Sequence, residues 1–347
     1  WLDFEIVALS GAPLAFAVFR EENSVGVIDT GRDLELARIP VGDNPIQLLA
    51  TPDGTHLFVS NLVSDEITMI ETATFSTVRT IPVRREPLDL AISAEGRDLY
   101  VTHTGSSALS RIDVASGSVE VSSVAGLQRG SYGIAIAAGR VYVTDIGNDE
   151  VVLTPEKSGG SQGSTARIPV VDSPRSVAAS PDESTLYVTS FTMGDVSVID
   201  VASNSVIDVI SLGASGSFAV WPSRDGSSIY FTGHDDGNLI VVDAKSREVE
   251  ATIKIGENPR GISESPDGQL LFVTSAASNR IHVIDMATNE VLTAYETGRE
   301  PRGIAVVLAP PANVVTAVEL QPVPEASQLL APFPNPFNPE VQIPFTL

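Results

Sequence analysis

The chain has 347 residues, with 21 Lys plus Arg against 44 Asp plus Glu and a net charge of −23. That balance lacks the clustered cations that nucleic acid phosphates need, and it disfavours anionic membrane surfaces, which leaves solubility as its plain meaning. Cysteine is absent, so disulfides, thiolate metal sites and c-type haem attachment are excluded, and no apolar run approaches the ~20 residues needed to cross a bilayer.

The first segment, WLDFEIVAL, starts at Trp1, carries two acids and has no basic n-region, so it reads as a cut N-terminus and not as a signal. From Phe16 onward the sequence repeats. An aromatic–Val pair heads most copies, at Phe58-Val59, Tyr100-Val101, Tyr142-Val143, Tyr187-Val188 and Phe272-Val273, with Phe16-Ala17 and Tyr230-Phe231 as looser copies. The steps between them are 42, 42, 42, 45, 43 and 42 residues. Twelve residues after the aromatic comes an aliphatic residue such as Ile70, Ile112 or Ile284, followed by an acid. A period of this length, built from short β-branched segments, is the mark of a propeller blade.

The copy from Arg260 to Pro301 shows one blade. RGISES is an inner strand, Pro266-Asp267-Gly268 a turn, QLLFVTS the second strand, RIHVID the third and EVLTAYET the outer one. The acid after the third strand precedes Ser or Thr by three residues at Asp113, Asp200, Asp243 and Asp285, which predicts an Asx turn. Apolar residues on both faces of the middle strands predict a sheet packed between two neighbours. The fourth copy deviates, with Ala138-Gly139 at its turn and a Gly/Ser insertion over residues 157–165. The first copy lacks an inner strand, and Arg302-Gly303-Ile304-Ala305 repeats Arg260-Gly261-Ile262-Ser263. Residues 302–308 should therefore pair beside residues 15–20 and close the ring. The expected fold is all-β: a seven-bladed propeller of four-stranded antiparallel blades over residues 1–308, closed by pairing of N- and C-terminal strands. A Pro/Ala-rich linker (309–330) and a last segment (331–347) follow.

LYVTS (186–190), DVSVIDVAS (195–203), ARIPVGDNP (37–45) and TIKIGENPRGISESPDG (252–268) resemble the YVTN repeats, WD40/YVTN-like, of surface-layer and secreted propellers. PNPFNP (334–339) with VQIPFTL (341–347) resembles the start of an Ig-like C-terminal sorting domain, similar to the module of the flagellar hook-capping protein and read by the type IX secretion system. The resemblance implies an exported protein, extracellular or at the cell surface, with that last module truncated.

Arg129, Arg175, Arg260 and Arg302 fall near the starts of inner strands, on the face where propeller ligands gather. Together they could receive a carboxylate or sugar acid; pairing with acids such as Asp172, Glu257 or Glu300 is the plainer and favoured alternative. His103 and His234 follow second strands and should reach the same face. His56 and His282 do not, and no His pair has metal-ligand spacing. Two loops, around Asp145 and Asp149 and around Asp235 and Asp236, have oxygen ligands that a Ca²⁺ ion could take, though solvated turns are the commoner use of such sequences. The expectation is a non-catalytic, monomeric scaffold without cofactor, apart from that Ca²⁺, binding a protein, glycan or small molecule. The alternative is a lactonase-like hydrolase or lyase using His103, His234 and Arg302.

Overall fold

The computed structural model describes residues 9–123, 127, 130–155, 166–214 and 216–310. They form seven four-stranded antiparallel sheets and a single short 3-10 turn, Arg20–Glu22. The inner strands contact one another in ring order, each blade touching the next. Blade 1 is composite. Its inner strand, Pro301–Val307, pairs with Leu14–Phe19, with Leu14 opposite Val307 and Phe16 opposite Ala305. The ring thus closes as the sequence repeat predicts. Blades 2 to 7 each run in order from inner to outer strand, their inner strands being Pro45–Ala50, Pro87–Ile92, Ser131–Ala137, Pro174–Ala179, Ser217–Pro222 and Pro259–Glu264. The insertion at 157–165, Arg129, and the last segment from residue 311 lie outside the described residues.

The repeated aromatic–Val pair acquires a physical meaning. Successive residues of a strand face opposite sides of the sheet. Phe58 therefore enters the core between blades 2 and 3, and Val59 enters the one between blades 1 and 2. Tyr187 and Val188 divide in the same way between the two sides of blade 5. Seven separate cores result, one in each gap between blades, and no sheet has a solvent face to spare.

Every inner strand carries a register shift against its second strand, for example between Pro174 and Val177 and between Pro259 and Ile262. Such a bulge leaves a backbone N–H without its ladder partner. A buried hydroxyl on the second strand takes it. Gln47, Asp89, Gly133, Ser176, Ala219 and Gly261 donate their N–H to Ser60, Thr102, Thr144, Thr189, Thr232 and Thr274 at 2.8–3.1 Å. Four of these hydroxyls also donate to the next blade: Ser60 to the Leu88 carbonyl (2.6 Å), Thr102 to Tyr132 (2.7 Å), Thr144 to Arg175 (2.9 Å) and Thr274 to Arg302 (2.6 Å). Neighbouring inner strands come so close here that a Cβ on Gly133 would lie 2.5 Å from the Arg175 carbonyl oxygen, so glycine is required. The expected Asx turns are present, with Ser116, Ser203, Ser246 and Thr288 N–H groups donating to the acids three residues earlier at 2.6–2.8 Å.

Thr144→Val keeps the side-chain shape and removes the hydroxyl. It should cost about 1–3 kcal/mol in urea unfolding, since the Gly133 N–H and the Arg175 carbonyl both lose a buried partner. A chain ending at Glu300 should lose its cooperative transition altogether, because Ile304 and Val306 leave one core and Ala305 and Val307 another.

Candidate functional site at the channel mouth

The bulge sets the direction of one residue per blade. It follows the first residue of each inner strand, at the rim of the channel. In blades 4, 5, 6, 7 and 1 these residues are Tyr132, Arg175, Phe218, Arg260 and Arg302. They are half-buried and form one arc. The Arg175 guanidinium carbon lies 4.1 Å from the Phe218 ring centre, 4.6 Å from Tyr132 and 4.7 Å from Phe191, which stands in the loop after the second strand of blade 5. Arg260 lies 4.1 Å from the same Phe218 ring. His234, from the corresponding loop of blade 6, stacks on Phe218 at 5.9 Å and meets Phe191 edge-on at 5.7 Å.

Three of the four expected arginines are therefore brought together, and His234 stands beside them. Burial depresses the Arg175 pKa to about 10 and the Arg260 pKa to about 9, with Arg302 a further positive neighbour of both and Arg175 one of Arg260. Arg302 is also lowered, first by burial, although Glu300 pairs with it. Glu300 in turn accepts from Arg20 at 2.9 and 3.1 Å. Acid pairing thus holds for Arg302. Among the described residues it does not extend to Arg175 and Arg260: Asp172 accepts from Thr192 instead, at 3.0 Å. The Nε atoms of Arg175, Arg260 and Arg302 are all buried with no acceptor. A buried donor left unmade costs about 1–3 kcal/mol, more when charged.

Other candidates are placed elsewhere. His103 is fully buried within blade 3, with Nε2 at 2.8 Å from the Ser110 hydroxyl. Burial pulls it down to about 4. The expectation that it reaches the ligand face is corrected: the last residue of the second strand points inward, as Asn61, Asp145 and Ser275 also do. Asp145 is buried and accepts from Gly147 N–H (3.2 Å) and the Asn148 amide (2.8 Å), while Asp149 caps the Ser173 N–H at 2.8 Å. Asp235 pairs with His234 Nδ1 at 2.7 Å, and the Asp236 carbonyl accepts from Lys254. Both acid loops are thus turns held by their own bonds. Among the described residues no three His, Cys, Asp or Glu side chains form a metal-holding group.

The aromatic members of the arc were missed in the sequence. The signal was available: Tyr132 in Ser-Tyr-Gly and Phe218 in Ser-Phe-Ala occupy the column of Arg260 in Pro-Arg-Gly.

A family model of the cytochrome d1 haem domain matches residues 180–327, less than half of the chain. No curated protein matches. Among solved structures, the chain is similar to hydrazine synthase of Kuenenia stuttgartiensis at 22% identity and TM-score 0.67, over 75% of this chain and 89% of that one. A functionally unknown protein of Desulfotomaculum acetoxidans matches at 13% and 0.74, over 86% and 99%. A 6-phosphogluconolactonase, so described on a putative basis, of Bacteroides fragilis matches at 16% and 0.72, over 86% and 98%. At these identities the likeness is one of fold.

His103→Ala should destabilise the chain by about 2–4 kcal/mol through the cavity and the lost Ser110 bond. The wild-type histidine folds neutral, so its contribution is complete above pH 6.5 and is lost as pH falls toward 4, by about 3 kcal/mol in all. Urea midpoints measured between pH 7.5 and 4, with and without the substitution, read both effects.

Proposed function

We propose that the chain is a non-catalytic binding propeller that takes an anionic small molecule at the arginine–aromatic mouth. The observation that carries this is the convergence of Arg175 and Arg260 on one Phe218 ring, with no acid paired to either among the described residues. A carboxylate or phosphate accepts from guanidinium N–H groups in a charge-assisted, often bidentate way, and such bonds are about twice as strong as neutral ones. Tyr132, Phe191 and Phe218 hold the two free guanidinium groups over their rings, so less side-chain entropy remains to be lost on binding. The hydrolase alternative is weakened because His103 is packed out of reach and Arg302 is tied to Glu300. The PNPFNP motif supports export, with the binding mouth working outside the cell or at its surface.

The partial family match supports a second reading. A haem of that type would bring carboxylates and an iron that a histidine nitrogen could bind. Arg175 and Arg260 suit the carboxylates. His234, its Nδ1 on Asp235, has Nε2 for a metal, the arrangement in which a carboxylate fixes the tautomer of a ligating imidazole. These residues fit such a group, which when bound would supply redox chemistry at its iron.

Citrate, phosphate and glucuronate should each be titrated calorimetrically into the chain. Binding is expected for at least one, weakened tenfold or more in Arg260→Met, which keeps the stem against Phe218 and removes the charge. Silence with all three and with simple alkanoates, or full affinity in the variant, refutes the anion site. Haem added to the chain would give a perturbed Soret band, lost in His234→Ala, if the second reading holds.

A further inference from the structure

The arginines occupy only part of the rim. The same bulge position in blades 2 and 3 holds Ile46 and Leu88, and blade 4 adds Tyr132. In ring order Ile46 and Leu88 lie across the channel from Phe218, and Tyr132, which also faces Arg175, joins the two arcs. Ile46 and Leu88 are half-buried, yet neither belongs to any of the seven inter-blade cores, whereas Leu48 and Leu90, two residues further along each strand, do. Their apolar side chains are thus left partly open outside the inter-blade cores. The polar groups next to them are already bonded: Gln47 donates to Asp89 at 3.1 Å, and Asp89 also accepts the N–H groups of Leu90 (2.9 Å) and Ile134 (3.2 Å). Burial raises the Asp89 carboxyl to about 6, in keeping with low polarity on this side.

We infer that the ligand is an amphipathic organic acid, its anionic head on Arg175 and Arg260 and an apolar body against Ile46, Leu88 and Tyr132. This rests on the anion-binding reading of the same mouth and names its ligand class. A polyhydroxylated acid would strand its hydroxyls on Ile46 and Leu88 with no partner. An alkyl body gains about fourfold in affinity for each methylene removed from water. Asp89, behind the apolar arc, repels a head group placed there and so favours one orientation.

The test is calorimetric titration of the whole chain with butanoate, hexanoate and octanoate, with citrate and phosphate as polar probes. Wild type, Leu88→Ser and Arg260→Met are compared. Leu88 lies outside the cores, so the serine variant should keep the wild-type melting temperature. Affinity should rise at least tenfold from butanoate to octanoate. That rise should flatten in Leu88→Ser with the polar probes unaffected, and all affinities should drop in Arg260→Met. If citrate or phosphate binds but chain length has no effect, the amphipathic inference falls and the anion site stands. If no anion of either kind binds, both fall. A chain-length effect unchanged in both variants marks non-specific adsorption and also overturns the inference.

Discussion

A buried hydroxyl on the second strand is the contact on which this ring depends. Each blade's inner strand is bulged, and the bulge opens the hydrogen-bond ladder in a place that water reaches poorly. Ser60, Thr102, Thr144, Thr189, Thr232 and Thr274, all fully buried, repair that ladder within the blade. Four of them also reach a carbonyl of the blade beyond. One small polar group therefore allows an irregular strand and fastens two sheets that otherwise meet only through side-chain packing. Blade 1 is the exception. Val18 stands where the hydroxyl should be, and the covalent break between second and inner strand falls in the same blade.

The bulge also separates scaffold from site. Residues that face the gaps between blades are bound by volume and must stay apolar. The rim residue faces the channel, so packing does not fix its identity. Arg, Phe, Tyr, Ile and Leu all appear there on near-identical backbones. A polar, aromatic and apolar surface can thus be composed residue by residue without disturbing a core. An acidic chain of net charge −23 still gathers three arginines at one spot by this route.

That division explains what could be read in advance. The period, the blade anatomy and the composite first blade were legible because they rest on recurring residues: the aromatic–Val pair, the Asp before Ser or Thr, the repeat of Arg260-Gly261-Ile262 at Arg302-Gly303-Ile304. Three of the site arginines were legible because charge stands out. The aromatic partners were not, since a Phe or Tyr in a β chain reads as core, and only the bulge register places Phe218 beside Arg260. His103 was misplaced for a related reason. Polarity suggested the surface, but strand alternation turns that position inward, where Ser110 satisfies one ring nitrogen.

Blade 1 has one more property. Its inner strand runs from Pro301 at the mouth to Val307 at the far end, and its second strand begins there with Leu14. Both ends of the described chain, near Leu9 and Pro310, therefore leave on the side away from the arginines. A tether at either end would hang the propeller by its back. The opening would then be turned away from the points where the described chain ends.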